Sequence, residues 1–305
     1  MIIRSETPQD YAVIADINTR AFAEQSGVGV IPSLSRHRNL FDPDLSLVAE
    51  DDQGNVVGHA LFSPVNIRLM GESLRVVALG PIAVDPPAQR TGVGGALIER
   101  GHELARAKGY SFCFLLGHPS YYPRLGYLTH AHGASTCKIQ TGDLPESDLT
   151  VRKLAESDIP AVRDLWLHEE ANVDFAVDAG SQFIEWVSPN PAITASVYLK
   201  NDQVVGFTRI HRDKLRSPSV FFARDPESAR KMARIIGGGE VVDLPLHPLS
   251  ASVGAFPNAE VSAQTWEAAM VYPLQPSLFE TYYEQVKAGK RASGRVIWMV
   301  AFDIA

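Results

Sequence analysis

Asp85-Pro86-Pro87-Ala88-Gln89-Arg90-Thr91-Gly92-Val93-Gly94-Gly95-Ala96-Leu97 joins a nearly all-apolar stretch, Arg75 to Val84, to a run of helical spacing from about Gly92 to Lys108. The apolar stretch reads as a central strand. Gly109 reads as the helix stop, and Tyr110 to Leu116 as a further apolar strand. Strand, glycine-rich turn and helix start, in that order, bring unpaired backbone N–H groups and the positive end of a helix dipole to one spot, which makes an anion site. The missing Cβ atoms at Gly92, Gly94 and Gly95 let a diphosphate reach the backbone, and Arg90 adds positive charge beside it. Glycines that serve only close helix-sheet packing would give the same local pattern.

Spacing excludes two other phosphate motifs. A dinucleotide fingerprint needs G-x-G-x-x-G, but position 97 is leucine, and a hairpin region precedes the turn in place of a βαβ unit. A P-loop needs lysine followed by serine or threonine, and no lysine is near. Upstream, Ile3-Arg4 is a short strand and Thr7 or Pro8 starts a helix with Tyr11, Ile14, Ala15 and Ile17 on one face, ending near Ala23. A loop rich in glycine and serine, Ser26 to Ser35, leads to a hairpin of Ser46–Glu50 and Val56–Phe62 across the turn Asp51 to Asn55. Ile67 to Met70 is a further strand.

The chain repeats itself. Arg4, Asp10, Asp16, Val56, Val57 and Gly58 recur, at one constant offset of 148, as Arg152, Asp158, Asp164, Val204, Val205 and Gly206. This divides the chain into residues 1–147 and 150–305, two halves built alike. The second half should carry its own glycine turn after a strand near Pro218 to Ala223, but reads Arg224-Asp225-Pro226-Glu227-Ser228-Ala229. Carboxylates there suit the helix dipole and repel a diphosphate, so the helix keeps its packing role without an anion site. Gly237-Gly238-Gly239 closes that helix. Val241 to Leu244 reads as a strand, Pro276 to Lys287 as a helix, and Arg295 to Phe302 as a closing strand. Trp166, Trp186, Trp266 and Trp298 all lie in this half and read as core, with one or two available to wall a pocket between the halves.

Composition narrows the function. With 305 residues, 45% hydrophobic and 21% charged, the chain is globular and long enough for two modest cores. A net charge of −7 gives no field that would draw a polyanion, so nucleic acid is not an expected partner. No apolar run is long enough for a membrane span and no signal core opens the chain, so a cytoplasmic location is expected. Cys113 and Cys137 are too few for a disulfide scaffold, Cys113 reads as a reduced core thiol, and no ligand spacing implies a metal. The oligomeric state is left open.

A second block supports the glycine turn. Gln89-x-x-Gly92-x-Gly94 resembles the acetyl-CoA pyrophosphate motif of the GNAT superfamily of N-acetyltransferases. Tyr121-Tyr122-Pro123-Arg124-Leu125-Gly126-Tyr127 is similar to that superfamily's L-Y-x-K-x-G-F segment, with Tyr127 in place of Phe. The paired tyrosines after Pro119-Ser120 resemble the bacterial YhbS-like group. The resemblance covers roughly residues 1 to 140.

It implies an α+β fold of two GNAT-like domains, each a twisted mixed sheet flanked by helices, the second a degenerate copy. It implies that the strand before the turn and the strand after the helix splay apart, with pantetheine running along Ile82, Ala83 and Val84. Gln89, Arg90, Thr91, Gly92, Val93, Gly94 and Gly95 would hold the diphosphate of acetyl-CoA, with Tyr121 in contact with it. Leu79-Gly80-Pro81 suits the bend that such a splay needs. Tyr122 is the expected donor to the departing thiolate, and a strand N–H near Ile82 to Val84 the donor to the oxyanion. Asp85, His118, His59 and Glu50 are open alternatives for a base, as is a water chain. The expected acceptor is a small-molecule amine. A non-catalytic acyl-CoA-binding regulator and a protein N-terminal or lysine acetyltransferase are the alternatives.

Overall fold

The computed structural model describes residues 1–304; Ala305, the last position of the second half as drawn, lies outside the described residues. The first half runs β1 (Ile2–Ser5), α1 (Tyr11–Ala21), α2 (Ile31–Ser35), β2 (Ser46–Glu50), β3 (Val56–Leu69), β4 (Glu72–Val84), α3 (Val93–Ala107), β5 (Phe112–Leu116) and β6 (Gly133–Gln140). The glycine- and serine-rich segment is a 3-10 turn followed by the single-turn helix α2. Ile67 to Met70 is the far end of the long strand β3, which turns at Met70-Gly71 into β4.

The second half runs β7 (Thr150–Lys153), α4 (Ile159–Glu169), β8 (Ala176–Val177), β9 (Ile193–Lys200), β10 (Gln203–His211), β11 (Val220–Ala223), α5 (Pro226–Gly237), β12 (Val241–Leu244), β13 (Glu260–Thr265), β14 (Ala269–Pro273) and α6 (Leu278–Lys287). Among the described residues no helix is long and apolar enough to cross a membrane.

The internal repeat has a physical cause at each conserved position. Arg4 grips the Asp10 carboxylate with both terminal nitrogens at 2.7 and 2.9 Å, and Arg152 grips Asp158 at 2.6 and 2.8 Å. In each half the aspartate also accepts from a backbone N–H three residues upstream, Thr7 or Ala155, so one carboxylate ties the first strand to the first helix. The guanidinium holds each carboxyl below the usual carboxylate range. Gly58 and Gly206 let the following helix lie directly on the strand. A Cβ at Gly58 would sit 2.8 Å from Val93 Cγ1, and one at Gly206 would sit 2.1 Å from Met232 Sδ.

The sheets do not respect the boundary that the repeat suggests. The largest follows the order β1-β2-β3-β4-β5-β14, with β8 paired to β3, so two strands of the second half complete it. Conversely β6, from the first half, is the middle strand of β12-β6-β13. The halves thus exchange strands: β5 pairs along its whole length with β14, and β12 with β6. A cut at 147–150 divides the sequence repeat but not the folded sheets. Only β11-β10-β9-β7 belongs wholly to one half.

Arg295 to Phe302 is not a closing strand. Arg295 makes one bridge to Gly133, and Val300–Phe302 is a 3-10 turn. Its apolar side chains go to three separate clusters: Ile297 packs with Trp166 and Trp186, Met299 with Phe112 and Phe114, and Ala301 with Val28 and Ile31. On a strand these three alternate residues would share one face; the 3-10 turn at Val300–Phe302 sends the last of them elsewhere.

Candidate active site

Two elements build the expected anion site. Val93 anchors α3 in the core, 5% exposed, while Gly92, with φ +95°, turns the chain into it. Arg90 also has a left-handed φ of +65°, uncommon for a residue with a side chain. No side chain caps α3, and the first acceptor bond runs from Ala96 N–H to Gly92 O. The N–H groups of Val93, Gly94 and Gly95 therefore have no acceptor among the described residues. At α5, the matching helix, Asp225 Oδ1 accepts from Ser228 N–H at 2.8 Å, so that N-terminus is filled by its own carboxylate. Within the turn Gln89 Nε2 donates to Val84 O at 3.1 Å and Thr91 Oγ1 to Ala88 O at 2.7 Å. Those two bonds help shape the loop, and the second N–H of Gln89 Nε2 stays free of them. Arg90 is exposed with no carboxylate partner among the described residues.

The strand edge leads inward from this turn. β4 and β5 pair in parallel only at Val77–Cys113 and Ala78–Phe114, and then diverge. The register of β4 against β3 slips between Phe62–Leu79 and Ala60–Ile82, a bulge at the Gly80-Pro81 bend. Asp85 donates to Val57 O at 2.9 Å, so by antiparallel alternation Ala83 bonds back to His59, while Ile82 and Val84 direct their N–H and C=O into the gap. Of the three expected strand contacts, Ala83 is thus turned away from the gap.

A cavity of about 560 Å³ lies in this gap, lined by Leu79 to Ile82 of β4, Leu116 to His118 after β5, and Tyr122. Tyr122 is 8% exposed, its ring packed between those of Tyr121 and Tyr127. Burial is the main cause that raises its phenol above the ordinary range, and Tyr121 and Cys113 add to it. Gly117 leaves room for the ring, since a Cβ there would lie 2.2 Å from Tyr122 Cε2. Tyr121 stacks edge to face on Tyr122 at 5.1 Å, and its hydroxyl lies over the glycine turn, 3.1 Å from where a Cβ of Gly94 would be. Tyr127 instead enters the core and bonds His102 and Cys113. The Cys113 thiol is buried and pushed up to about 12 by that burial.

Three of the candidate bases are elsewhere. His59 is wholly buried between Asn18 and Ser46, and burial lowers it to about 3. Glu50 is paired with Arg4, and Asp85 with Arg20 at 3.0 Å. His118 does line the cavity. Sequence reading missed the far wall: Phe22, Gln25, Val28 and Ile31 from the α1–α2 region, and Trp298, Phe302 and Asp303 from the C-terminal segment. Trp298 was among the tryptophans available for a pocket wall, and it takes that place; Phe302 and Asp303 carry no local signal.

An uncapped helix end, a diverging strand edge with two free peptide groups and a cavity beyond them fit a long diphosphate-bearing thioester. Residues 2–129 match the acetyltransferase (GNAT) domain family. The chain is 32% identical over 170 residues to the uncharacterised N-acetyltransferase YhbS of Escherichia coli K12, covering 56% of this chain and 97% of that protein. It is 38% identical over 118 residues to the uncharacterised N-acetyltransferase YjhQ of the same organism, covering 39% of this chain and 64% of that one. Among solved structures, a GCN5-related N-acetyltransferase from Anabaena variabilis superposes with a TM-score of 0.68 at 13% identity, over 90% of this chain and 73% of that one. Another from Kribbella flavida gives 0.66 at 19%, over 90% and 72%. These distant structures speak for the fold, α+β and GNAT-like across both halves. With almost the full length of the Escherichia coli YhbS protein matched, the chain belongs to the GNAT family of acetyltransferases.

Proposed function

We propose that the protein transfers the acetyl group of acetyl-CoA to the primary amine of a small molecule. Residues 1–147 carry the donor site, and residues 150–305, a degenerate copy without an anion site, complete the acceptor end of the cavity. The observation that carries this reading is the uncapped α3 N-terminus at the mouth of the β4–β5 gap, with Tyr122 at the gap's inner end.

Acetyl-CoA supplies the acyl group as a thioester. The N–H groups of Val93, Gly94 and Gly95 receive its diphosphate, aided by Arg90. The Ile82 and Val84 peptide groups bond the pantetheine arm as a neighbouring strand would, and one of their N–H groups donates to the carbonyl oxygen as charge builds on it. The amine lone pair forms the C–N bond, the C–S bond breaks, and the surplus ammonium proton leaves to solvent. Tyr122 holds its proton throughout, because its phenol is a weaker acid than a thiol of pKa about 8.5. It therefore stabilises the departing thiolate by hydrogen bonding in place of complete proton transfer.

The wall contributed by the segment 298–303 supports a small acceptor over a protein surface. Thiol release measured over a library of small amines, peptides and proteins tests the reading. The expected result is turnover with small amines that depends on Tyr122. Tight acetyl-CoA binding without transfer to any acceptor would favour a regulatory module, and turnover of folded proteins alone would favour a protein acetyltransferase.

A further inference from the structure

Chemistry at the acceptor end must begin with the loss of a proton. An alkylamine is an ammonium at neutral pH, since such groups ordinarily titrate near about 10, and an ammonium has no lone pair with which to attack a thioester. Three side chains lining the cavity can carry a charge: His118, Tyr122 and Asp303. Tyr122 keeps its proton, because burial makes the phenol a still weaker acid, and a protonated phenol is no base. Asp303 is already matched. Arg209, on β10 and 5% exposed, donates to its Oδ2 at 3.2 Å, and the Ser188 side chain bonds the carboxylate as well. A proton placed on Asp303 would leave the buried guanidinium without its counter-charge. His118 is exposed, so its imidazole can pass a proton to water. Its carbonyl accepts from the N–H groups of Tyr121 and Tyr122 at 3.0 and 3.4 Å, and the preceding Gly117 N–H donates to Ala268 O at 3.0 Å. One fixed turn at the end of β5 therefore carries both His118 and Tyr122 to the same cavity.

We propose that His118 is the general base of the reaction, its imidazole taking one proton from the acceptor ammonium and so freeing the lone pair that attacks the thioester carbon. This rests on the amine-transferase reading above and adds to it the group that makes the amine reactive. The imidazolium then gives that proton to bulk water. The C–N bond forms, the C–S bond breaks, and the second ammonium proton leaves to solvent as described. An imidazole suits the exchange, because its ordinary titration between about pH 5 and 8 lets it both accept and release a proton near neutrality. The wall opposite helps. Phe22, Trp298 and Phe302 are apolar, and an ammonium drawn out of water toward them holds its proton less firmly. The Asp303–Arg209 pair is neutral as a unit and does not compete for that proton.

The test uses the full chain and acetyl-CoA, with ethanolamine, propylamine and benzylamine as acceptors and kcat/KM followed across pH. With a base in place the rate needs neutral imidazole and protonated amine together, so the wild-type profile should level off above the imidazole's titration. In His118→Gln only amine that arrives already neutral can react. Its kcat/KM at pH 7 should fall by about 10- to 100-fold, at or below the low end of what a positioned base contributes, and should keep rising toward the amine's own titration. In His118→Ala added imidazole should restore part of the loss, which a purely structural role would not allow. Acetyl-CoA affinity of both variants reports their fold and should stay unchanged. A wild-type profile in His118→Gln, or a loss that keeps the profile's shape and that imidazole does not restore, overturns the proposal while the transferase reading stands. Bound acetyl-CoA with no transfer to any small amine removes both. Should either variant fail to fold, the wild-type profile decides alone, and a rise without a plateau up to the amine's own titration overturns the proposal.

Discussion

Gly94→Glu should weaken acetyl-CoA binding by at least about 100-fold, because it sets an anion among the N–H groups expected to meet the diphosphate, and like charges at contact distance cost several kcal/mol. Two effects act together. The new carboxylate competes for the free N–H groups of α3, much as Asp225 occupies the start of α5. The side chain also needs space that Tyr121 borders, with its hydroxyl 3.1 Å from the position of a Cβ. Folding should survive, since Tyr121 is 39% exposed and can move aside, and a carboxylate in the first turn suits the helix dipole. Gly94→Ala separates bulk from charge and should cost far less. Titration calorimetry with acetyl-CoA checks both, and unchanged affinity in the glutamate variant would remove the assigned phosphate site.

Tyr122→Phe should lower kcat by about 10- to 100-fold, the range for losing one hydrogen bond to a charged group in a transition state. The KM for acetyl-CoA should stay within about twofold, because the lost interaction forms only as the thiolate departs. The ring remains to fill the space above Gly117 and to pack on Tyr121 and Tyr127, so structure is conserved. Gly117→Ala should reproduce much of the kinetic loss by another route, since its methyl would occupy the place of the Tyr122 ring. Steady-state thiol release distinguishes the outcomes. An unaltered kcat in Tyr122→Phe would make this phenol a wall residue, and a large change in KM would make it a binding group.

The features that were legible in the sequence are those set by local backbone chemistry. The glycine turn announces an uncapped helix start through its own residues, and Asp225-Pro226-Glu227 announces a filled one equally well. The repeat was visible because Arg4 with Asp10 and Arg152 with Asp158 each close a short-range ion pair that tolerates no change of spacing. What depends on distant pairing was not legible. The alternation along β6 suits any antiparallel neighbour, so nothing in residues 133–140 says that they pair with β12 and β13. The bulge near Gly80-Pro81 was anticipated as a bend, but its one-residue register slip also decides that Ile82 and Val84, and not Ala83, face the gap. Asp303 joins the site through Arg209, almost a hundred residues away, and no local pattern encodes that contact. Trp298 and Phe302 fall in an apolar run that reads as a strand until its separate packing partners are known.

The strand exchange bears on function as well as fold. It makes β14 the support of β5 and carries the chain on toward the segment 298–303 that walls the cavity. The second half thus walls the cavity with Trp298 and Asp303, both bonded from behind by Arg209.

The most direct test is a crystal structure of the protein grown with acetyl-CoA. The account predicts the diphosphate on the N–H groups of Val93, Gly94 and Gly95, pantetheine bonded to the Ile82 and Val84 peptide groups, and the thioester beside Tyr122. Density for the coenzyme at any other place, the α5 N-terminus included, would contradict it.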